Sequence, residues 1–220
     1  MADSVGVLGT GVVARTLVGR LRELDYEVWV GARLADSESL RPFAEIDGVR
    51  TGSFADAAAA AELLINATNG RNSVSALTMA GADNLAGKPV IDVSNDLEPV
   101  EGDFARPMAS VDHSIGKLLQ TEFPDALIVK ALNTMNNKIM VNPSLVPGDH
   151  VVFLSGDSGL AKERVTALLM AFGWRPQQIV NLGGIDTAVG PEMMMAIWMK
   201  VVIARGFDAP PFNWAINANE

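Results

Sequence analysis

Short apolar runs alternate with amphipathic stretches along most of this chain, and that rhythm predicts a strand followed by a helix, many times over. Ser4-Val5-Gly6-Val7-Leu8 reads as a buried strand, a helical pattern follows through Leu24, and Val28-Trp29-Val30 forms a second strand ending at Gly31-Ala32-Arg33. An amphipathic helix around Glu38 to Ile46 precedes a short strand at Gly48 to Gly52, and Ser53 is placed to cap an Ala-rich helix from Phe54 to Glu62. The continuous apolar run Leu63 to Thr68 has the character of a central parallel strand. A turn at Asn69 to Asn72, a helix from Ser73 to about Ala82 and a strand at Pro89 to Ser94 come next. A polar loop then spans Asn95 to Asp112.

Beyond that loop the pattern predicts a helix at His113 to Glu122, a strand at Ala126 to Lys130 and a polar segment at Ala131 to Asn137. Strands at His150 to Ser155 and Gln178 to Leu182 enclose a helix from Asp157 to Phe172. Repeated βα alternation argues for an α/β fold of the doubly wound Rossmann type, with a mainly parallel sheet. Gly183-Gly184 and Gly190-Pro191 bracket a break, and Glu192 to Ala204 then reads as a helix apolar nearly all round, which must be buried on several sides. This divides the chain into a nucleotide-binding domain over 1–182 and a C-terminal helical segment over 183–220, a cleft wall and candidate dimer contact.

Gly9-Thr10-Gly11-Val12-Val13-Ala14 sits between the first strand and the first helix as a G-x-G-x-x-A turn. Gly9 supplies the tight turn, Gly11 lets a pyrophosphate approach the backbone, and Ala14 keeps helix and strand close. The helix N-terminus behind Gly11 offers free N–H groups and a positive dipole end to phosphates. A dinucleotide with a free 2′-hydroxyl calls for Asp or Glu about twenty residues further on. Here that position is Ala32-Arg33, with no carboxylate until Asp36. A guanidinium grips a 2′-phosphate and stacks on adenine, so the expected cofactor is NADP(H).

Charge and composition narrow the field further. The 220 residues carry a net charge of −9 with no cationic cluster, which excludes phosphate-driven nucleic-acid binding. It also means that an anionic cofactor must be held by local groups against the mean field. There is no cysteine, hence no disulfide or thiol chemistry, and the two histidines, His113 and His150, stand apart, so no metal site is expected. No stretch approaches the roughly 20 apolar residues of a membrane span, and no basic-then-apolar segment opens the sequence. The expectation is a cytoplasmic protein without membrane contact.

In an open α/β sheet, ligands gather at the carboxyl ends of the strands. That rule assembles Thr10 to Val13, Ala32–Arg33, Ala67 and Thr68 with Asn69, Ser94–Asn95 and Asn133–Thr134 along one rim. No acid–base dyad is evident among them, and no catalytic residue is assigned. His113 reads as a surface residue at a helix start. Lys130 either reaches the rim from its apolar strand or pairs with Asp92.

Taken in order, Gly9-Thr10-Gly11, Gly31-Ala32-Arg33, Val90 to Asn95, Val129 to Thr134 and Phe153 to Asp157 resemble the coenzyme F420-dependent NADP oxidoreductases and their NADPH-dependent reductase relatives. The resemblance implies hydride exchange between NADP(H) and the deazaflavin, and commonly a homodimer. By it, Gly9, Thr10, Gly11, Val12, Val13, Ala32 and Arg33 hold NADP, while Ala67, Thr68, Asn69 and Ser94 border the nicotinamide. Asn95, Asn133, Thr134, Met193 and Met194 approach the second ring. This chain departs from its relatives at Asp36 and Ser37, where a second cation is familiar, at Thr187-Ala188-Val189, where many have Arg, and at Asp96, where Pro is. Other expectations for the same residues are a reductase of an imine, ketone or flavin, or a protein that senses NADP without turnover.

Overall fold

A computed structural model describes residues 4–101 and 105–218, so residues 102–104 of the polar loop lie outside the described residues, as do the chain's first three and last two. Strand β1 (Ser4–Leu8) leads through Gly9-Thr10-Gly11 into α1 (Val12–Glu23), then β2 (Glu27–Ala32), α2 (Arg41–Ala44) and β3 (Val49–Ser53). The chain continues with α3 (Phe54–Ala60), β4 (Leu63–Asn66), α4 (Gly70–Ala80), α5 (Ala82–Leu85) and β5 (Pro89–Asp92). A small hairpin, β6 (Leu97–Glu98) with β7 (Arg106–Pro107), interrupts the polar loop. After it come α6 (Ile115–Glu122), β8 (Leu127–Ala131), α7 (Asn137–Val141), β9 (Val152–Ser155), α8 (Gly159–Phe172), β10 (Ile179–Gly183) and α9 (Val189–Arg205).

Eight strands form one sheet in the order β10-β9-β8-β5-β4-β1-β2-β3. Successive side chains of a strand point to opposite faces. Leu63 and Ile65 of β4 accordingly join a core with Leu17 and Leu21 of α1 and Val165 of α8, whereas Leu64 joins the opposite core with Ala57 of α3 and Leu77 of α4. The order reverses around β1, whose neighbours are β2 and β4, and the switch point opens a crevice there at the carboxyl edge.

The sheet is mainly parallel, as expected, with one reversal. The sheet is parallel from β3 through β8, but β9 runs antiparallel to β8, with β10 parallel to β9. An apolar strand reads the same in either direction, so hydrophobic patterning does not fix its sense. The consequence is spatial: residues 132–151 do not cross back over a face of the sheet, and instead build a wall at the rim. The start of the C-terminal helix is corrected: it begins before Gly190-Pro191 rather than after it. Pro191 falls in the first turn, where no intrahelical N–H bond is needed, so it does not stop a helix there.

With the 3-10 turn Ile185–Ala188 before it, α9 forms a continuous 21-residue segment, Ile185–Arg205, long and apolar enough by length and composition to cross a membrane. Pro191, Glu192, Met195 and Met199 bury one stripe of it against the domain. The residues after it return to the sheet, where the Val151 N–H donates to the Trp214 carbonyl at 2.8 Å.

Candidate functional site

Gly9 has φ +123°, and a Cβ there would lie 2.8 Å from the Ala67 carbonyl, so only glycine makes this turn. Gly11 is different. It is the N-cap of α1 with ordinary φ, and a Cβ built on it meets nothing within 4 Å. No side chain caps the helix and its first turn carries no acidic residue. The N–H groups of that turn therefore face open space, as a pyrophosphate cradle requires.

Two cavities flank this cradle. One, of about 600 Å³, is lined by Gly9, Thr10, Ala32, Arg33, Ser37 and Ser39, with Thr68, Asn72 and Ser75 opposite. Arg33 is exposed at the end of β2, and the Ser37 and Ser39 hydroxyls lie 2.9 Å apart beside it. One guanidinium and two hydroxyls suit an anionic group on a ribose. Ser39, Asn72 and Ser75 escaped the sequence reading because they belong to helical stretches whose rotation only the fold fixes.

The other cavity, of about 730 Å³, is bounded by Val13, Ala67, Thr68, Asn69, Ser94 and Asn95 on the sheet side. Its far wall comes from Asn133, Asn136 and Met140 in the rim segment and from Met195 and Trp198 of α9. Asn69 caps α4, its side chain accepting from Arg71 N–H at 3.1 Å, so the predicted turn is the first turn of that helix. Of the residues expected at the second ring, Asn95 and Asn133 line this cavity. Thr134 is buried beneath the wall and its carbonyl accepts from the Trp214 indole at 3.2 Å. Met193 is exposed; Met195 and Trp198 are the α9 side chains that face the cleft. Their i, i+3 spacing was visible, but which face of an all-apolar helix turns inward was not.

A polar network underlies the rim. Thr68 Oγ1 donates to Asn66 Oδ1 at 2.7 Å, and Asn66 Nδ2 donates to Ser73 Oγ at 2.8 Å and to Asp92 Oδ1 at 2.9 Å. Lys130 is buried and pairs with Asp92 at 2.8 Å and Glu192 at 3.0 Å. Burial alone would push its ammonium down, but the charges of Asp92 and Glu192 outweigh that and hold it above the ordinary lysine value. Leu132, buried just past β8, has φ +64°, a strained conformation for a non-glycine residue that turns the chain into Asn133. His113 precedes the helix cap Ser114 and binds Asp96 at 2.8 Å, and neither residue lines the two cavities.

Fold and site together define a dinucleotide-binding α/β protein of the nicotinamide-dependent class. The family of coenzyme F420-dependent NADP oxidoreductases matches residues 4–96. A candidate F420-dependent NADP reductase from Arthrobacter sp. FB24 is 40% identical, over 97% of this chain and 99% of that one, with a TM-score of 0.88. The chain belongs to this family of NADP-dependent oxidoreductases. It is also similar to the metalloreductase STEAP3 of Rattus norvegicus, 29% identical over 208 residues, and spans 40% of that protein's length. A reductive aminase from Aspergillus terreus, solved with NADPH4, cyclohexanone and allyl amine, shares the fold at TM-score 0.64 and 16% identity, over 93% of this chain and 63% of that one.

Proposed function

We propose that the protein transfers hydride between NADP(H) and a flat ring acceptor, coenzyme F420 first among them. The observation that carries the reading is the pair of cavities on either side of an uncapped, carboxylate-free helix N-terminus. On one side Arg33, Ser37 and Ser39 take the 2′-phosphate; the backbone N–H groups behind Gly11 take the pyrophosphate. On the other, Thr68, Asn69 and Ser94 border the nicotinamide, and Met140, Met195 and Trp198 form an apolar slot over it, with the Asn95 amide at its side. Hydride transfer between two stacked rings asks the protein to hold them at near-attack distance and exclude water. A site of amides, hydroxyls and thioethers with no acid–base dyad does that work.

The exposed pair Met193 and Ile197, one turn apart on α9, supports a homodimer, with a second copy covering apolar surface that one copy leaves in water. The test of function is a set of turnover assays with NADPH and, in separate arms, coenzyme F420, riboflavin, and a cyclic ketone with an amine. Oxidation of NADPH with F420 alone is the expected result. Turnover only in the ketone–amine arm moves the protein to imine reduction, and tight NADPH binding with no acceptor consumed makes it a sensor. Light scattering of the purified chain reads the dimer.

A further inference from the structure

Four polar side chains stand in one register line across the carboxyl edge of the sheet. Asn66 on β4 is paired with Asp92 on β5, Asp92 with Lys130 on β8, and Lys130 with Ser155 on β9. None is more than 1% exposed. Lys130 Nζ spends its three donors on Asp92 Oδ2 at 2.8 Å, Glu192 Oε1 at 3.0 Å and the Ser94 carbonyl at 2.5 Å. Asp92 Oδ1 accepts from Asn66 Nδ2 at 2.9 Å and from the Ser94 N–H at 3.1 Å. Glu192 Oε2 accepts from Ile115 N–H at 3.0 Å and Oε1 from Gly116 N–H at 2.9 Å, at the N-terminus of α6.

Every carboxylate oxygen in the cluster therefore faces a donor. All the groups facing these oxygens are N–H donors, a donor set that suits two carboxylate anions. The helix dipole of α6 favours the charge on Glu192. Two anions against one ammonium leave a net charge of one negative unit, out of reach of water. Both backbone groups of Ser94 are held by this cluster, and Ser94 lines the larger cavity. The excess charge thus lies directly behind the surface that the proposed function gives to the nicotinamide.

We infer that the Asp92–Lys130–Glu192 cluster biases bound cofactor toward its cationic, oxidised nicotinamide, which makes bound NADPH a stronger hydride donor. The inference rests on the cofactor reading above. The oxidised ring carries a positive charge and the reduced ring none, so a nearby buried anion stabilises the first and not the second. A cluster that only ties α9 and α6 to the sheet has no such preference.

The test measures NADP+ and NADPH affinities separately, by tryptophan quenching, for the unaltered protein, Glu192→Gln and Asp92→Asn, with thermal melts confirming folded variants. Each variant removes one negative charge, so the ratio Kd(NADP+)/Kd(NADPH) is expected to rise by about tenfold. A ratio unmoved in folded variants overturns the inference and leaves the cofactor reading standing. Should neither variant fold, the unaltered protein decides. Buried charge is poorly screened, so its ratio is expected to favour NADP+ and to persist from low salt to about 1 M. A ratio that favours NADPH, or that collapses with salt, overturns the inference. Failure of both cofactor forms to bind the unaltered protein sinks the cofactor reading, and this inference with it.

Discussion

Asn95 and Asn133 clasp each other just past the carboxyl ends of the paired strands β5 and β8: Asn95 Nδ2 donates to the Asn133 carbonyl at 2.9 Å, and Asn133 Nδ2 donates to Asn95 Oδ1, also at 2.9 Å. Asn133 reaches on to the Pro191 carbonyl at 3.1 Å, so one amide ties both walls of the larger cavity to α9. Replacing Asn133 by Ala takes the side-chain donor from the Pro191 carbonyl and from Asn95 Oδ1, at a cost of about 1–3 kcal/mol. The expected outcome in thermal melts is a fall of several degrees. Acceptor KM is expected to rise with little change in NADPH affinity, because the dinucleotide cradle around Gly11 follows β1, which β4 and β5 separate from β8.

Among the described residues, Arg33 is the one guanidinium lining the smaller cavity, and its ligand is proposed to be the 2′-phosphate. Arg33→Ala is expected to weaken NADPH binding by about tenfold to a hundredfold, the range of a charge-assisted hydrogen bond, and to leave NADH binding nearly unchanged. Ser39→Ala is expected to act in the same direction and less. Titration of both cofactors checks this; equal losses for NADPH and NADH would remove Arg33 from the 2′-phosphate.

The two fingerprint glycines make opposite predictions. Gly9→Ala meets a backbone carbonyl in a region of φ closed to alanine, and is expected to cost more than about 2 kcal/mol of stability. Gly11→Asp puts a good N-cap residue into open space, so the melting temperature is expected to hold or rise by about a degree. The same carboxylate occupies the phosphate cradle and is expected to abolish dinucleotide binding. Melts and binding titrations on the two variants separate folding from function.

Lys130→Met strands two buried carboxylates and is expected to cost about 3–5 kcal/mol, read by urea unfolding. The folded lysine titrates above its unfolded value, so its contribution is fully present below about pH 10.4. It is lost only as pH rises through the folded value. Urea midpoints compared across the neutral range should therefore show no pH dependence from this group, with a decline confined to strongly alkaline solution.

What the sequence made legible was local. The strand, glycine turn and helix from Ser4 to Glu23 follow from residues next to one another, and Arg33 follows from the end of the neighbouring strand. Ser53 caps α3 as its position implies, with Asp56 closing a capping box. The Lys130–Asp92 pair was one of two open alternatives, and register decided it. Ser37, Trp198 and Met140 enter the site through contacts between elements far apart in the chain, and no spacing announces those. The sense of β9 was invisible because apolar strands carry no arrow. The start of α9 was misplaced because Gly190-Pro191 signals a break in isolation and a helix entrance in context.

The reversal of β9 has a consequence for how such a protein can change. Residues 132–151 leave the sheet and rejoin it at the same edge, without threading over either face. Their length can change without altering the strand order, while α7 stays tied to α1, where Asn137 Nδ2 donates to Thr16 Oγ1 at 2.6 Å. A single scaffold can thus keep one electron donor and trade its acceptor.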